Sequence, residues 1–312
     1  MGIEDQIMSK KYIVSGSAII DNVIPFDKTQ PHVIRPGGGA PFALTGIRLW
    51  DDDAALVVYT GKDFEKYYGE WLSKNNIDYS GIVKFTEHTR VIDLIYNEEG
   101  TFSFVDMYPD EYADNSDKVT RALLEPCIDS STKGIHILGK GEPDTIADMY
   151  SMCREKGIKF GVEYEIFTLF GRDDNVELFR ELASYTDYYS LSHYECKNLF
   201  KGIRDVKDSI ELLESFEKPC FLRAGTDGAY FLIDGQKNFS PLISEFGDVD
   251  PTGCGNSSTS AAFWAMCEGY SPLEASYIGA ITASVNAGTE GIIQDLTPEL
   301  RAKCFDILRK HI

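Results

Sequence analysis

From residue 134 onward, short apolar segments alternate with longer amphipathic segments, and this alternation restricts the possible folds more than any other feature. The apolar segments predict buried strands at residues 135–138, 159–162, 188–191 and 220–223. Helical patterns follow at residues 143–156, 176–185, 210–216, 256–268 and 272–287. Strands that alternate with helices build a mainly parallel sheet with helices on both faces. The predicted fold class is therefore α/β, a three-layer α/β/α sandwich.

The first third of the chain departs from this alternation. Strands are predicted at residues 11–15 and 56–59, and a helix at residues 64–74. A polar stretch runs to Pro36, and apolar segments on both sides of Gly100 predict a β-hairpin. The length allows one large domain or two modest ones, but no linker or internal repeat divides the chain. We therefore predict one domain, residues 1–312, with a small β-sheet lid from about residues 18–36 and 86–108.

The charge balance restricts the partners of this chain. It carries 50 Asp and Glu residues against 30 Lys and Arg residues, a formal net charge of −20. Such a charge repels a phosphate backbone, so nucleic acid is not an expected partner. A chain of this charge that binds a small anion must concentrate its few favourable donors at one point.

Cysteines, histidines and hydropathy argue against several other classes. Seven cysteines lie without C-x-x-C spacing, and five histidines lie singly, which favours neither a disulfide framework nor a zinc site. Residues 1–11 lack the apolar region of a signal peptide, and no apolar segment approaches the length of a membrane span. We therefore expect a cytoplasmic protein with no membrane partner.

One glycine-rich segment, Gly134 to Gly141, nearly matches a phosphate-binding P-loop. Glycine follows Lys140, however, so the Ser or Thr hydroxyl that binds Mg²⁺ in such loops is missing. Residues 135–138 are moreover apolar and predict the strand itself. We interpret this segment as a strand and a turn. The dinucleotide-binding fingerprint is also missing after the first predicted strand.

A second glycine-rich segment, residues 250–256, has the sequence Asp-Pro-Thr-Gly-Cys-Gly-Asn and lies directly before a predicted helix. Consecutive backbone N–H groups and the positive end of a helix form a site for a developing anion. Gly253 and Gly255 permit the close approach that such a site requires. An ordinary helix N-cap is the alternative interpretation, because Asn and Ser are favoured caps.

Other candidate residues follow strands or precede helices in a matching order. Asp21 follows the first strand, and Gly37, Gly38 and Gly39 precede a helix. Ser192-His-Tyr-Glu195 follows the strand at 188–191, and Arg223-Ala-Gly225-Thr-Asp-Gly228 ends another. This order resembles the ribokinase-like (PfkB) family of sugar and nucleoside kinases, from residue 13 to about residue 293. Its most specific part is the segment 250–256, which is similar to the family's D-T-x-G-A-G-D signature.

The resemblance implies an ATP-dependent, Mg²⁺-assisted phosphotransferase that acts on a hydroxyl of a sugar or sugar-like molecule. It implies a ribokinase-like sandwich whose lids pair into a homodimer. It also implies site residues in four groups. By this resemblance, the anion hole and catalytic position lie at Gly253, Cys254, Gly255 and Asn256, and the substrate pocket at Asp21, Gly38, Gly39 and Phe42. The implied ATP site lies at Arg223, Gly225 and Gly228, and the implied metal positions are Glu195 for Mg²⁺ and Asp250 for a monovalent cation, K⁺.

The chain departs from the family pattern at several of these positions. Asn256 stands where the family has its catalytic Asp, and an amide is not a base near neutral pH. Phe42 or Ala43 replaces a substrate-binding Asn, Ser192 replaces the Asn of N-x-x-E, and Arg223 replaces the Thr of T-x-G. General base catalysis contributes ~10²–10⁴-fold in rate, so its loss predicts a slow kinase.

Three hypotheses remain open from the sequence. The chain is a sugar kinase, a non-catalytic relative that binds a sugar or nucleotide, or an enzyme whose base is a substrate carboxylate or a neighbouring acid. Asp21 and Asp250 each have a plain turn as the alternative interpretation. Glu163 ends a predicted strand and is placed near the phosphates only as a hypothesis.

Overall fold

The computed structural model describes residues 10–98, 102–112, 118–140, 142–164 and 175–312. Strands and helices are numbered along the chain. The strands are β1 Tyr12–Ser15, β2 Ile19–Ile24, β3 Val33–Gly37, β4 Ala54–Leu56, β5 Val58–Gly61, β6 Ile82–Thr86, β7 Val91–Tyr96, β8 Phe102–Asp106, β9 Gly134–Gly139, β10 Lys159–Tyr164, β11 Tyr188–Ser192, β12 Cys220–Arg223, β13 Ala229–Ile233 and β14 Gln236–Ser240. The helices are α1 Gly39–Arg48, α2 Phe64–Lys74, α3 Arg121–Leu124, α4 Pro143–Lys156, α5 Val176–Ser184, α6 His193–Leu199, α7 Val206–Glu214, α8 Cys254–Cys267, α9 Pro272–Ala287 and α10 Pro298–His311.

Eight strands form the main sheet, in the order β14-β13-β12-β11-β10-β9-β1-β4. The six strands from β12 to β4 pair in parallel, and β13 and β14 continue the sheet as an antiparallel hairpin. The parallel strands carry apolar side chains on both faces, as expected for strands covered from two sides. Their carboxyl ends meet at one edge, where open α/β sheets bind their ligands.

Two apolar cores lie on opposite faces of the main sheet. Tyr12 and Val14 belong to one core, which contains residues of α1, α8 and α9. Ile13, whose side chain points to the other face, belongs to the second core with residues of α4, α5 and α7. Alternate residues of β1 therefore pack against the helix layers on opposite faces of the sheet. This arrangement confirms the predicted three-layer α/β/α class.

A second sheet of four strands, called the small sheet below, has the order β3-β2-β7-β8. Its β7–β8 pair is the predicted hairpin, and β2 and β3 lie in or at the end of the stretch 18–36 that was predicted as part of the small β-sheet, without individual strands. Asp21 of β2 faces Arg35 of β3 across the ladder. The small sheet exposes large apolar side chains, among them Phe104 at 72%. Its action as a lid and its pairing into a homodimer stay predictions.

Several predicted boundaries need correction. The strand predicted at 56–59 is two strands in different sheets. β4 pairs with β1, and the last contact of this pairing is the hydrogen bond from Val57 N to Val14 O (2.9 Å). The next residues form β5, which pairs with β6. The helix predicted at 210–216 spans Val206–Glu214, because Asp205 caps it through Asp208 N (3.0 Å). The polar helices α6 and α10 and the edge strand β14 were missed. Within the described residues, no helix is long and apolar enough to cross a membrane.

Candidate active site

The loop before α8 contains the predicted anion site, and its glycine Gly253 is the N-cap of the helix. Gly253 caps the helix with φ 76°, in the left-handed region, and a Cβ there would overlap the ring of Phe42. Ser257 N donates to Gly253 O (2.9 Å), which starts the helix two residues earlier than predicted. Cys254 N donates to Pro251 O (3.2 Å), so this amide already has a partner within the loop. Gly255 follows it in the first turn, where N–H groups have no intrahelical partner.

The Arg223 guanidinium lies directly against Gly255. A Cβ on Gly255 would overlap Arg223 Nη1, so the guanidinium occupies the space that a side chain at this position would take. Arg223 Nη1 lies 3.0 Å from Glu163 Oε1, and Nη2 donates to Glu195 Oε2 at 3.1 Å. We call these three residues the Arg223 cluster. A guanidinium that is paired with two carboxylates therefore lies beside the helix terminus, where the sequence predicted an anion.

The strands β10, β11 and β12 bring the Arg223 cluster together. They are adjacent in the sheet, and Glu163, Ser192 and Arg223 lie at or near their carboxyl ends. Glu163 is 1% exposed, and its Oε2 lies 4.0 Å from His136 Nε2 on the neighbouring β9. Burial, and next the charge of Arg223, lower the pKa of His136 to about 3. His136 is therefore neutral at physiological pH, and Arg223 carries the positive charge of this group.

Glu195 has a structural role beside its contact with Arg223. It forms a capping box at α6, in which Glu195 N donates to Ser192 Oγ (3.1 Å) and Ser192 N donates to Glu195 Oε2 (2.5 Å). Ser192 thus caps a helix where the family pattern has Asn. The predicted Mg²⁺ position does not fit this arrangement, because the Arg223 guanidinium lies between the two carboxylates. No group of three His, Cys, Asp or Glu side chains is placed to hold a metal ion in the described part of the chain.

Asp21 lies on the other side of the loop, in the small sheet. Its side chain is 6% exposed and contacts Gly37, where a Cβ would overlap the carboxyl group. Burial raises the pKa of Asp21 to about 6; the Arg35 charge opposes this shift, and the Asp250 carboxylate adds to it. A carboxyl with this pKa is ionised at neutral pH yet remains a usable proton acceptor.

The remaining predicted substrate residues add no polar side chain to the candidate site. Gly38 is the N-cap of α1 with φ 85°, and Gly39 is the first residue of that helix. Phe42 is 2% exposed, and its ring lies against Gly253. Phe42 therefore joins the substrate side to the anion site by packing. It supplies no donor for a substrate hydroxyl, in contrast to the Asn of the family pattern.

Asp250 binds donors on both of its carboxylate oxygens. Oδ1 accepts from Thr252 N (2.9 Å), and Oδ2 accepts from Gly291 N (3.1 Å) and lies 3.0 Å from Arg35 Nη2. Burial alone would raise the pKa of Asp250, but the hydrogen bonds from Thr252 and Gly291 and the Arg35 charge hold it below its usual value. A guanidinium thus stands where the resemblance implies a monovalent cation, and K⁺ does not fit beside it.

Two of the predicted ATP-site glycines belong to the turn between β12 and β13. Ala224 N donates to Gly228 O at 2.9 Å, and Gly228 packs against the backbone of Ser240. Gly225 has open space around its Cα. Their contact with ATP stays a prediction, whereas Arg223, directly before the turn, lies against Gly255.

Two residues near the candidate site, Arg35 and His136, were not predicted from the sequence. Arg35 was missed because its partner Asp250 is far along the chain, and His136 because it lies inside a buried strand. Glu163 was placed near the phosphates only as a hypothesis, and it contacts Arg223. The one available signal was positional, since Arg35 lies just before three consecutive glycines. The predicted residues thus fall into two groups, Asp21 with Asp250 and Glu195 with Arg223, on either side of residues 253–256.

Comparison with known proteins agrees with this fold. The chain belongs to the pfkB carbohydrate kinase family, whose pattern it matches over residues 10–299. A search among curated protein sequences finds no significant match.

Solved structures of low sequence identity share the fold over nearly the whole chain. An Arabidopsis thaliana ribokinase complexed with ribose and ATP has a TM-score of 0.76 at 16% identity, covering 97% of this chain and 99% of that one. A Methanocaldococcus jannaschii nucleoside kinase has a TM-score of 0.71 at 19% identity, covering 97% and 100%. A Burkholderia thailandensis nucleoside kinase in complex with inosine has a TM-score of 0.69 at 14% identity, covering 96% and 97%.

Proposed function

We propose that this protein is an ATP-dependent kinase that transfers a phosphoryl group to a hydroxyl of a sugar or sugar-like molecule. The observation that carries the proposal is the Arg223 guanidinium packed against Gly255 at the start of α8. Membership of a carbohydrate kinase family supports it. So do the similar structures, one of which holds ribose and ATP and another inosine.

The electrostatics of the site suit phosphoryl transfer. The transition state spreads charge over the equatorial oxygens of the transferring group, so catalysis depends on positioning and on fixed positive charge. The amides at the start of α8 and the Arg223 guanidinium supply such charge. Glu163 and Glu195 fix the guanidinium in one orientation, which avoids reorganisation during the reaction. Mg²⁺ that accompanies ATP would neutralise phosphate charge, but Glu195 is not its ligand in this arrangement.

Asp21 is the proposed proton acceptor. Asn256 holds the position of the family base, and its amide orients a hydroxyl without taking its proton. In the proposed step, the substrate oxygen forms a bond to the γ-phosphorus and its proton passes to the Asp21 carboxylate. The bond between that phosphorus and the leaving oxygen of ADP breaks. The catalytic base thus comes from the small sheet instead of α8.

We expect the pH profile of kcat/KM to show an acidic limb near pH 6. The pKa of Asp21 is raised to about 6, so the carboxylate is protonated below this pH and cannot accept the substrate proton. The rate should therefore rise as pH increases through 6 and then level off. Initial rates of ADP release between about pH 4.5 and 8 measure this limb. A flat profile across this range would remove Asp21 from the acceptor role.

A catalytically impaired relative that binds a sugar or nucleotide for regulation is the second candidate function. Asn256 and the apolar Phe42, both in the candidate site, favour it. ATP turnover against a panel of sugars and nucleosides separates the two, with a thermal-shift screen to find the bound ligand. Turnover of any panel member supports the kinase, whereas ligand binding without turnover supports the regulatory role. A cytoplasmic location stays a prediction.

A further inference from the structure

We infer that Arg35 takes the place of the monovalent cation at Asp250, so that this chain holds its anion-site loop without K⁺. The resemblance implies a K⁺ at Asp250, and the structure has a guanidinium there instead. The inference concerns the ligand-free protein and goes beyond the proposed function.

The Asp250 carboxylate is fully engaged by groups of this chain. Its two oxygens accept the N–H groups of Thr252 and Gly291, and Arg35 Nη2 lies 3.0 Å from Oδ2. The side chains of Arg35 and Asp250 are both largely buried, at 15% and 14% exposure. A partly buried carboxylate requires a positive partner. Arg35 supplies it from within the fold, at a position that a bound ion would otherwise occupy.

The surrounding charges favour a guanidinium over a free ion. Arg35 Nη1 also lies 3.5 Å from Glu290 Oε1, and Asp21 faces Arg35 across the small sheet. Three carboxylates thus surround one guanidinium, whose donors point in several directions from one planar group. The side chain also packs along Gly291, where a Cβ would lie 3.3 Å from Arg35 Cδ.

This contact links two parts of the fold. Arg35 belongs to β3 of the small sheet, whereas Asp250 begins the loop that ends in Gly253 and α8. A free cation would hold the loop regardless of where the small sheet lies. A guanidinium on β3 holds it only while the small sheet is in this position. Arg35 is therefore a positioning residue that joins the small sheet to the anion site.

Thermal unfolding of the ligand-free protein in KCl and in tetramethylammonium chloride of equal concentration tests the inference. Wild type is expected to unfold at the same temperature in both salts. Arg35→Met should unfold on the order of 5 °C lower in tetramethylammonium chloride, because Asp250 loses its positive partner. KCl should restore at least half of that loss, because K⁺ enters the vacated position.

Two further variants make the test specific. Arg90→Met removes the arginine directly before β7, paired with Asp106 at 2.7 Å, and should show no response to K⁺. Arg35→Met combined with Asp250→Asn removes the need for a cation, so its response to K⁺ should also disappear. The inference is overturned if wild type gains stability from K⁺, or if the Arg35→Met loss is not restored by K⁺. Neither outcome depends on whether the protein binds ATP.

Discussion

Replacement of Arg223 by methionine is expected to destabilise the protein by about 3–5 kcal/mol and to remove most of its affinity for ATP. The variant leaves Glu163, which is 1% exposed, without the guanidinium that lies 3.0 Å from its Oε1. Removing one partner of a buried ion pair leaves the other charge in a poorly solvated place, and this costs more than the pair contributes. The affinity falls because the variant also removes the fixed charge beside Gly255.

Urea unfolding and titration with ATP measure the two effects separately. The double variant Arg223→Met/Glu163→Gln should recover much of the lost stability, because the buried charge is removed as well. It should not recover ATP affinity, because the positive charge is still missing. Arg223→Lys is the matched control: it keeps the charge but loses the two-pronged contact with Glu163 and Glu195. We expect it to lie between wild type and Arg223→Met in both measurements.

A different result would assign Arg223 another role. If Arg223→Met/Glu163→Gln binds ATP as tightly as wild type, the Arg223 cluster is structural and the anion site consists of backbone alone. If Arg223→Met unfolds at the same urea concentration as wild type, Glu163 reaches solvent or another donor when the guanidinium is removed.

The sequence predicted the local parts of this site well, because local patterns encode them. Gly253, Gly255 and the start of α8 lie within a few residues, and their spacing predicts either an anion site or an ordinary helix N-cap. The end of β12, which carries Arg223, was likewise predicted, since it follows an apolar segment. Asp21, in contrast, lies within β2 and not directly after the first strand as predicted. The fold class followed from the alternation of strands and helices, which requires no knowledge of strand order.

The ion pairs of the site were not predictable from local patterns. Glu163 meets Arg223 only because β10, β11 and β12 are adjacent in the sheet, and that order is a property of the whole fold. Arg35 meets Asp250 across more than two hundred positions of sequence. The sequence therefore suggested that Glu195 and Asp250 bind cations. The structure shows that two arginines of the chain already hold these carboxylates.

These two arginines change the meaning of the departures from the family pattern. Arg223 first looked like the loss of a hydroxyl, and Asn256 like the loss of a base. In the structure, Arg223 contributes a charge that suits a phosphate, and Asp21 offers a carboxylate with a raised pKa. We therefore propose that Asp21, and not residue 256, accepts the substrate proton, and that Arg223 contributes to phosphate binding. The role of Asp21 is the more critical part of this proposal.

Asp21→Asn is expected to lower kcat by ~10²–10⁴-fold, the range attributed to a general base. The variant keeps the shape of the side chain, so a large loss reflects the missing proton acceptor rather than altered packing. Its stability gives a second readout. The pKa of Asp21 is about 6 against 3.8 for a free Asp, a difference of roughly 2 units, and each unit corresponds to 1.36 kcal/mol.

The sign of the stability effect follows from this raised pKa. Between pH 3.8 and about 6 the folded state binds the proton that the unfolded state has lost, so the wild type loses stability as pH rises through 6. The loss approaches about 3 kcal/mol at neutral pH. Asp21→Asn has no such titration and should be more stable than wild type at pH 7. Urea unfolding at about pH 4 and pH 7 measures the difference.

Asn256→Asp shows which residue accepts the proton. Introduced into Asp21→Asn, it should restore turnover at least ~10-fold, because it places a carboxylate at the start of α8 where the family has its base. Introduced into wild type, it should change turnover by less than ~10-fold, because Asp21 already fills the role. An inert wild type that gains ~10²-fold or more from Asn256→Asp would instead identify a binding protein that has lost its catalytic base. Comparable rates for Asp21→Asn and wild type would place the acceptor on the substrate itself, as a carboxylate of the molecule being phosphorylated.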